Sequence, residues 1–334
     1  MIQKENMYDS GKFVISLDFE LFWGMRDHLT LENYGKHIQA VWEVLPRMIQ
    51  SFENYQVKAT FATVGFLFAD DKKELKTSCP NDIPKYSNQS LSPYIRHFDT
   101  IGDNEETDPY HFAPSLIKLL QKYPSQEIAT HTFSHYYCLE DGQTKDNFRN
   151  DLIAAITIAE TKGVAIKSLV FPRNQFNEEY LEILRDLGIT SYRGNEKIWS
   201  PSGLMAKTPN PLKRAFRLLD SYINLSGHNC YNMKDIAKSV PYNIPSSRFL
   251  RPYSQKLGLI EKMRVNRILN GMTYAAKNKK VYHLWWHPHN FGGHQEENFK
   301  ILNKILGHYD KLNSKYGFES ATMGEISHAL KEKQ

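Results

Sequence analysis

The feature that most constrains this chain is an alternation. Runs of strand length are followed, roughly seven times, by stretches whose apolar residues recur at three and four, and polar residues gather where the strand-like runs end. Such alternation specifies parallel strands covered by helices, an α/β fold of the (β/α) barrel kind, with its chemistry at the C-terminal strand ends.

The first run is Phe13-Val14-Ile15-Ser16-Leu17-Asp18-Phe19-Glu20, a buried strand whose last residues carry two carboxylates at spacing two, so both leave it on one side. An aromatic loop, Leu21 to His28, leads to a helix from Tyr34 to Asn54 and a second strand from Val57 to Gly65. From 69 to 112 the pattern dissolves into polar, proline-containing sequence, too long for a bare connection; this reads as a substrate-side insertion with structure of its own.

Periodicity resumes with a helix from Ala113 to Tyr123, a strand from Glu127 to Thr130, and a helix from Asp146 to Lys162 closed by Gly163. A strand from Ser168 to Phe171 is followed by Pro172-Arg173-Asn174, a helix from Glu178 to Leu187, and the segment Ile189 to Asn195. Residues 196–255 give a weak signal and read as a second insertion. A helix from Asn266 to Asn278, a strand from Lys280 to Trp286 ending in His287-Pro288-His289-Asn290, a helix from Glu296 to Leu312 and the tail from Gly317 to Leu330 complete the series. No repeat or low-complexity tract interrupts it, so 1–334 is expected to be a single domain.

The strand from Glu127 to Thr130 delivers His131-Thr132-Phe133-Ser134-His135. On a helical turn, two histidines four apart share a face with Cβ atoms ~5–6 Å apart, which suits two ligands of one ion. With one carboxylate from the Asp18 and Glu20 pair they make a three-ligand, open zinc site that keeps a position for water.

Composition narrows the partners. Lys and Arg number 42 against 37 Asp and Glu, a formal charge of +5 without concentrated basic patches, which argues against nucleic acid and leaves only a weak attraction for anionic substrates or an anionic lipid surface. Cys79, Cys138 and Cys230 are too few and too scattered for a disulfide framework or a metal knuckle. The first nine residues lack the apolar core of a secretory signal, and no segment approaches a membrane span. The expectation is a reduced, cytoplasmic protein with no stable membrane insertion.

Together the segments resemble the NodB-homology polysaccharide deacetylases, carbohydrate esterase family four. Asp18-Phe19-Glu20 stands where that family has paired aspartates, Ala59-Thr60-Phe61 resembles its alanine-threonine-phenylalanine strand, His131 to His135 its His-Thr-Trp/Phe-Ser-His motif, and Leu284-Trp285-Trp286-His287 its terminal motif. The resemblance implies a distorted (β/α)7 barrel and metal-dependent hydrolysis of an N-acetyl group on a sugar. It also implies roles: Asp18 the general base, Glu20, His131 and His135 the ligands of a divalent metal ion, zinc above all, and His287 the general acid. Arg173, which follows Pro172 where the family's arginine precedes its prolines, is expected to hold Asp18 ionised.

Trp23, Tyr136, Asn174, Trp286 and His289 are the candidate substrate contacts, the aromatic ones offering flat faces to a sugar ring. The substrate expected is an acetamido sugar, as a nucleotide- or lipid-linked precursor of a surface polysaccharide or another glycan. A deformylase, an allantoinase-like cyclic amidase, and a carbohydrate-binding relative without catalysis are the alternatives.

Overall fold

The computed structural model describes residues 9–95, 97–196 and 218–333. Among them, nine strands join in one sheet: β1 (Lys12–Phe19), β2 (Thr60–Thr63), β3 (Glu127–Thr130), β4 (Ser168–Val170), β5 (Ser191–Arg193), β6 (Tyr242–Asn243), β7 (Arg248–Phe249), β8 (Val281–Trp286) and β9 (Glu319–Ser320). Their order is β6-β5-β4-β3-β2-β1-β8-β7, with β9 added on β1, and every pairing is parallel.

The two ends of that order meet. Ile244 N–H donates to the Tyr192 carbonyl at 2.9 Å, Ser246 N–H to the Gly194 carbonyl at 2.9 Å, and Ser247 N–H to the His283 carbonyl at 2.7 Å. Residues 242–249 are thus one bent stave that leans first on β5 and then on β8. Pro245, with no N–H to give, lies between the two bonds to the β5 side, and the changeover falls between Ser246 and Ser247. Seven staves result, a distorted (β/α)7 barrel. Residues 197–217 of the expected second insertion lie outside the described residues, but 242–249 belong to the barrel wall. Two-residue strands separated by a proline carry too little alternation to be read from sequence.

β1 shows why the barrel has a polar interior. All eight of its residues are buried. Phe13, Ile15, Leu17 and Phe19 pack into the main core beneath the helices, whereas Val14 joins Ala62, Val170, Tyr242 and Val281 in a separate cluster. Successive side chains of a strand point to opposite faces, so Ser16 and Asp18 share the side of Val14. On β1 the inward positions beyond Val14 are therefore polar, Ser16 and then Asp18.

The helix expected from Tyr34 to Asn54 is two, Leu31–Gln39 and Val41–Asn54, divided at Ala40. Thr30 caps the first by accepting from Asn33 N–H. The insertion at 69–112 does carry structure: helices Lys72–Thr77 and His97–Thr100 and a turn at Gln89–Leu91. It is tied to the strand-end loop where Arg26 Nη2 donates to the Leu91 carbonyl at 2.5 Å and Trp23 Nε1 to the His111 carbonyl at 2.8 Å.

Candidate metal centre

Glu20 follows β1 directly, and its carboxylate enters a tight space. A Cβ on Gly24 would lie 2.1 Å from the Glu20 Cδ, so glycine is required there. The histidines arrive after β3, but not on the helical turn the spacing suggested. Thr132 and His135 have left-handed backbone, φ 64° and 57°, and the segment is an irregular turn.

Asp151, from helix Lys145–Thr161, anchors this turn. It accepts from Phe133 N–H at 2.7 Å, from Ser134 N–H at 3.2 Å, and from the Ser134 hydroxyl. Burial pushes its carboxyl up to about 7, against the pull of these donors. Nothing in the local sequence marked Asp151, an apparently ordinary polar position on an amphipathic helix.

The turn places His135 Nε2 3.0 Å and His131 Nε2 3.3 Å from Glu20 Oε2, all three side chains being buried. His131 Nδ1 lies 2.9 Å from the Val170 carbonyl and must donate to it, so in the neutral imidazole it is Nε2 that offers a lone pair. That lone pair has no hydrogen-bond partner among the described residues, and neither has Glu20 Oε1. His135 Nδ1 lies 3.2 Å from Tyr137 Oη, and burial pushes this imidazole down to about 4, so it is neutral at pH 7. Burial opposes ionisation of Glu20, yet His287 and the contacts of His131, His135 and His289 hold it well below the usual carboxylate range. A carboxylate and two imidazole nitrogens converging in a closed space are the donor set for a divalent cation. A second trio, Glu20, His287 and His289, shares the carboxylate, with Nε2 atoms 3.5 and 3.4 Å from its Oε1. His287 differs from the rest in being reachable, its side chain 18 % exposed.

Asp18 is gripped by Arg193, not by Arg173. Arg193 Nη1 donates to Asp18 Oδ1 at 2.6 Å and Nη2 to Oδ2 at 2.8 Å. Nη2 also reaches Asn174 Oδ1 at 3.1 Å, and the guanidinium lies 4.2 Å from the Trp285 ring centroid. Burial raises the Asp18 carboxyl, but Arg193 and the nearby imidazoles outweigh it and the net shift is downward. Arg173 turns outward with left-handed φ 54°, pairs with Asp27, and lies over the Tyr137 ring. The reason is topological: β5 is a barrel stave with Arg193 on its inward face, whereas Arg173 belongs to a turn beyond β4.

His287 Nε2 stands 3.7 Å from Asp18 Oδ2, and its Nδ1 is 3.2 Å from Asn290 Oδ1. His289 Nδ1 meets Tyr34 Oη at 2.9 Å. The expected sugar-facing role of Trp23, Tyr136 and Trp286 is not available to them: each is at most 1 % exposed. Trp23 packs on Phe66 and His111, Tyr136 donates to Gln143 Oε1, and Trp286 stacks on Phe291. His289 is likewise enclosed, and Asn174 is engaged with Arg193. In strand β8 it is Trp285 that is partly open, beside His287, because Trp286 has the parity of the outward residues.

Comparison with known proteins follows this geometry. Residues 39–192 match the polysaccharide deacetylase family profile, a span that includes His131 and His135 but not Asp18, Glu20 or His287. A Mycobacterium smegmatis protein described as a polysaccharide deacetylase is similar in structure over 97% of this chain and 92% of its own, with 14% identity and a TM-score of 0.59. One from Pseudomonas aeruginosa PAO1 is similar over 97% and 91%, with 10% identity and a TM-score of 0.50. A 4-alpha-glucanotransferase from Thermococcus litoralis is similar over 95% of this chain and 40% of its own, with 12% identity and a TM-score of 0.50. At these identities the likeness establishes the fold alone, and the glucanotransferase separates that fold from any one reaction. No curated protein matches.

Proposed function

We propose that this chain, whose residues 39–192 match the polysaccharide deacetylase profile, hydrolyses the N-acetyl group of an acetamido sugar during assembly of a surface polysaccharide or glycan precursor. The observation that carries this reading is the convergence of Glu20 Oε2 with His131 Nε2 and His135 Nε2, at 3.3 and 3.0 Å, beside a carboxylate on one flank and a reachable imidazole on the other.

Glu20, His131 and His135 would hold the metal, and two nitrogens with one carboxylate oxygen favour zinc. A divalent ion bound there supplies Lewis-acid polarisation of the acyl oxygen and a water of lowered pKa. Asp18, kept ionised by the Arg193 fork, accepts the proton of the attacking water. His287, with Nδ1 donating to Asn290, presents Nε2 to the cleft and delivers a proton to the leaving nitrogen. The amide C–N bond breaks, a C–O bond forms, and acetate and the amino sugar leave.

The partly open Trp285 is the aromatic face we assign to the sugar. We place the reaction in the cytoplasm, on nucleotide- or lipid-linked precursors. Support comes from Cys79, Cys138 and Cys230, all unpaired. No helix among the described residues is long and apolar enough to cross a membrane.

The test is a panel of acetamido and formamido sugars and cyclic amides offered to zinc-loaded protein, with acetate and formate measured and metal per chain counted. Acetate release that a chelator abolishes and zinc restores is expected. Formate or ring-opened product in its place would move the assignment to the deformylase or cyclic amidase alternatives, and no turnover with no bound metal would overturn it.

A further inference from the structure

Behind Asp18 the barrel interior holds a second set of polar contacts. Ser16 Oγ lies 3.0 Å from Arg193 Nη1 and 2.8 Å from His283 Nε2, and His283 Nδ1 lies 3.0 Å from the Ile244 carbonyl oxygen. Ser16 and His283 are wholly enclosed, and Arg193 is 2 % exposed.

The partners in this chain assign its hydrogens. A carbonyl oxygen accepts, so His283 Nδ1 carries a proton and gives it to Ile244. A guanidinium donates, so Ser16 Oγ accepts from Arg193. The Ser16 hydroxyl hydrogen then goes to His283 Nε2, which must be the lone-pair nitrogen. A doubly protonated imidazole would take away the Nε2 acceptor of the Ser16 hydroxyl hydrogen and set a second cation beside Arg193 in a closed interior. Burial, with Arg193 nearby, pushes this imidazole down to about 3.

The far end of the chain is fixed by backbone. His283 N–H donates to Ser247 Oγ at 2.9 Å, and β8 is paired with both β1 and β7. Three of the barrel's staves therefore bear on one guanidinium. Nη1 has two hydrogens, one for Asp18 Oδ1 and one for Ser16 Oγ, just as Nη2 divides between Asp18 Oδ2 and Asn174 Oδ1.

We propose that Ser16 and His283 are positioning residues for the base: neutral His283 orients the Ser16 hydroxyl as an acceptor, and that acceptor keeps the Nη1 prong of Arg193 on Asp18. This inference rests on the reading of Asp18 as the proton acceptor. Neither residue touches substrate. A serine on β1 and a histidine inside β8 are chemically unremarkable positions until the barrel closes around them.

The experiment compares zinc-loaded wild type with Ser16→Ala, His283→Leu, the double variant, and His283→Gln, whose side-chain oxygen can accept in place of Nε2. On the acetamido sugar that wild type hydrolyses, kcat is expected to fall roughly tenfold to a hundredfold in either single variant, a loss typical of small misplacement. KM and zinc per chain stay unchanged, the double variant falls no further than the singles, and His283→Gln recovers most of the loss. Unchanged kcat in Ser16→Ala, or equal loss in the Leu and Gln variants, overturns the proposal. Should His283→Leu fail to fold, Ser16→Ala alone decides it.

A readout independent of turnover is ¹⁵N NMR of the histidines. His283 is expected with a protonated Nδ1 and a lone-pair Nε2 whose resonance moves in Ser16→Ala. A proton on Nε2 overturns the inference whatever the activity. Absence of acetate release from wild type, with the expected His283 signals present, counts against the proposed reaction and leaves the positioning chain standing.

Discussion

Arg193 and Asp18 meet prong to prong inside the barrel, Nη1 to Oδ1 at 2.6 Å and Nη2 to Oδ2 at 2.8 Å. A parallel pair of charge-assisted bonds fixes the carboxylate plane as well as its charge, which a lysine, as a point charge, cannot do. Arg193→Lys is therefore expected to lower kcat by about 10², the lower end of what general-base catalysis supplies. The acid limb of the kcat/KM profile should also move to higher pH. The sign follows from burial, which raises the Asp18 carboxyl, and from Arg193, which lowers it: weakening the second leaves the first. Arg173→Ala, which removes a partner of Asp27 and a cation over the Tyr137 ring, should leave that limb in place. A limb displaced by Arg173→Ala and not by Arg193→Lys would reverse the assignment.

Gly24 stands against the Glu20 carboxyl so closely that a methyl group would overlap it, at 2.1 Å from Cδ. Gly24→Ala must push the carboxylate away from His131 and His135 while leaving the barrel staves untouched. Zinc affinity, measured by competition with a chromophoric chelator, should fall by about 10-fold to 100-fold, the range typical of disturbed ligand orientation. Retained affinity would mean that Glu20 is not a ligand.

Asp151 acts on the same centre through the backbone. Phe133 N–H, Ser134 N–H and the Ser134 hydroxyl all end on its carboxylate, inside the turn that carries both histidines. Asp151→Ala leaves these donors unpaired in a buried place, at a cost of about 1–3 kcal/mol for each group left so. The metal-free protein should melt at a lower temperature and bind zinc more weakly, because the left-handed residues Thr132 and His135 lose what holds them. Asp151→Asn, which keeps an acceptor oxygen, should recover part of the thermal stability. Equal melting of wild type and Asp151→Ala would remove the anchoring role.

How far the sequence reached is clearest at β1 and β3. The apolar run from Phe13 reads directly as an enclosed strand, and the carboxylates of Asp18 and Glu20, at spacing two, both come within 3.7 Å of His287 Nε2. The spacing of His131 and His135 correctly brings two imidazoles together, yet through the wrong local geometry, since a spacing of four does not distinguish a helical turn from a left-handed one. Arg193 lies in the segment Ile189 to Asn195, and nothing in that sequence marks its partnership with Asp18. That contact spans 175 positions and depends on which staves face inward. Trp23, Tyr136 and Trp286 show the opposite limit. Their identity allows either a sugar platform or core, and only the packing of the insertion, the helix Lys145–Thr161 and the strand-end turns decides for core.

His97 gives the insertion an acid sensitivity of its own. Burial pushes its imidazole down to about 3, with His111 and Arg26 adding to the shift and Asp108 opposing it. Its Nε2 lies 3.0 Å from His111 Nε2, and His111 Nδ1 in turn meets the Asp108 carboxylate at 2.8 Å. The unfolded chain takes up a proton at this position below pH 6.5, the folded chain only near 3, so the unfolded state binds more protons throughout that interval. Stability is complete above about pH 6.5 and declines as pH falls through the interval, with a slope of at most about 1.4 kcal/mol per pH unit from this one group. His97→Gln keeps a hydrogen-bonding side chain beside His111 without the titration. Urea midpoints measured from pH 7.5 down to 4.5 should fall less steeply in this variant than in wild type, the two curves converging in slope above pH 6.5. Parallel curves across the whole range would show that the His97 imidazole is already charged, or already open to water, in the folded protein.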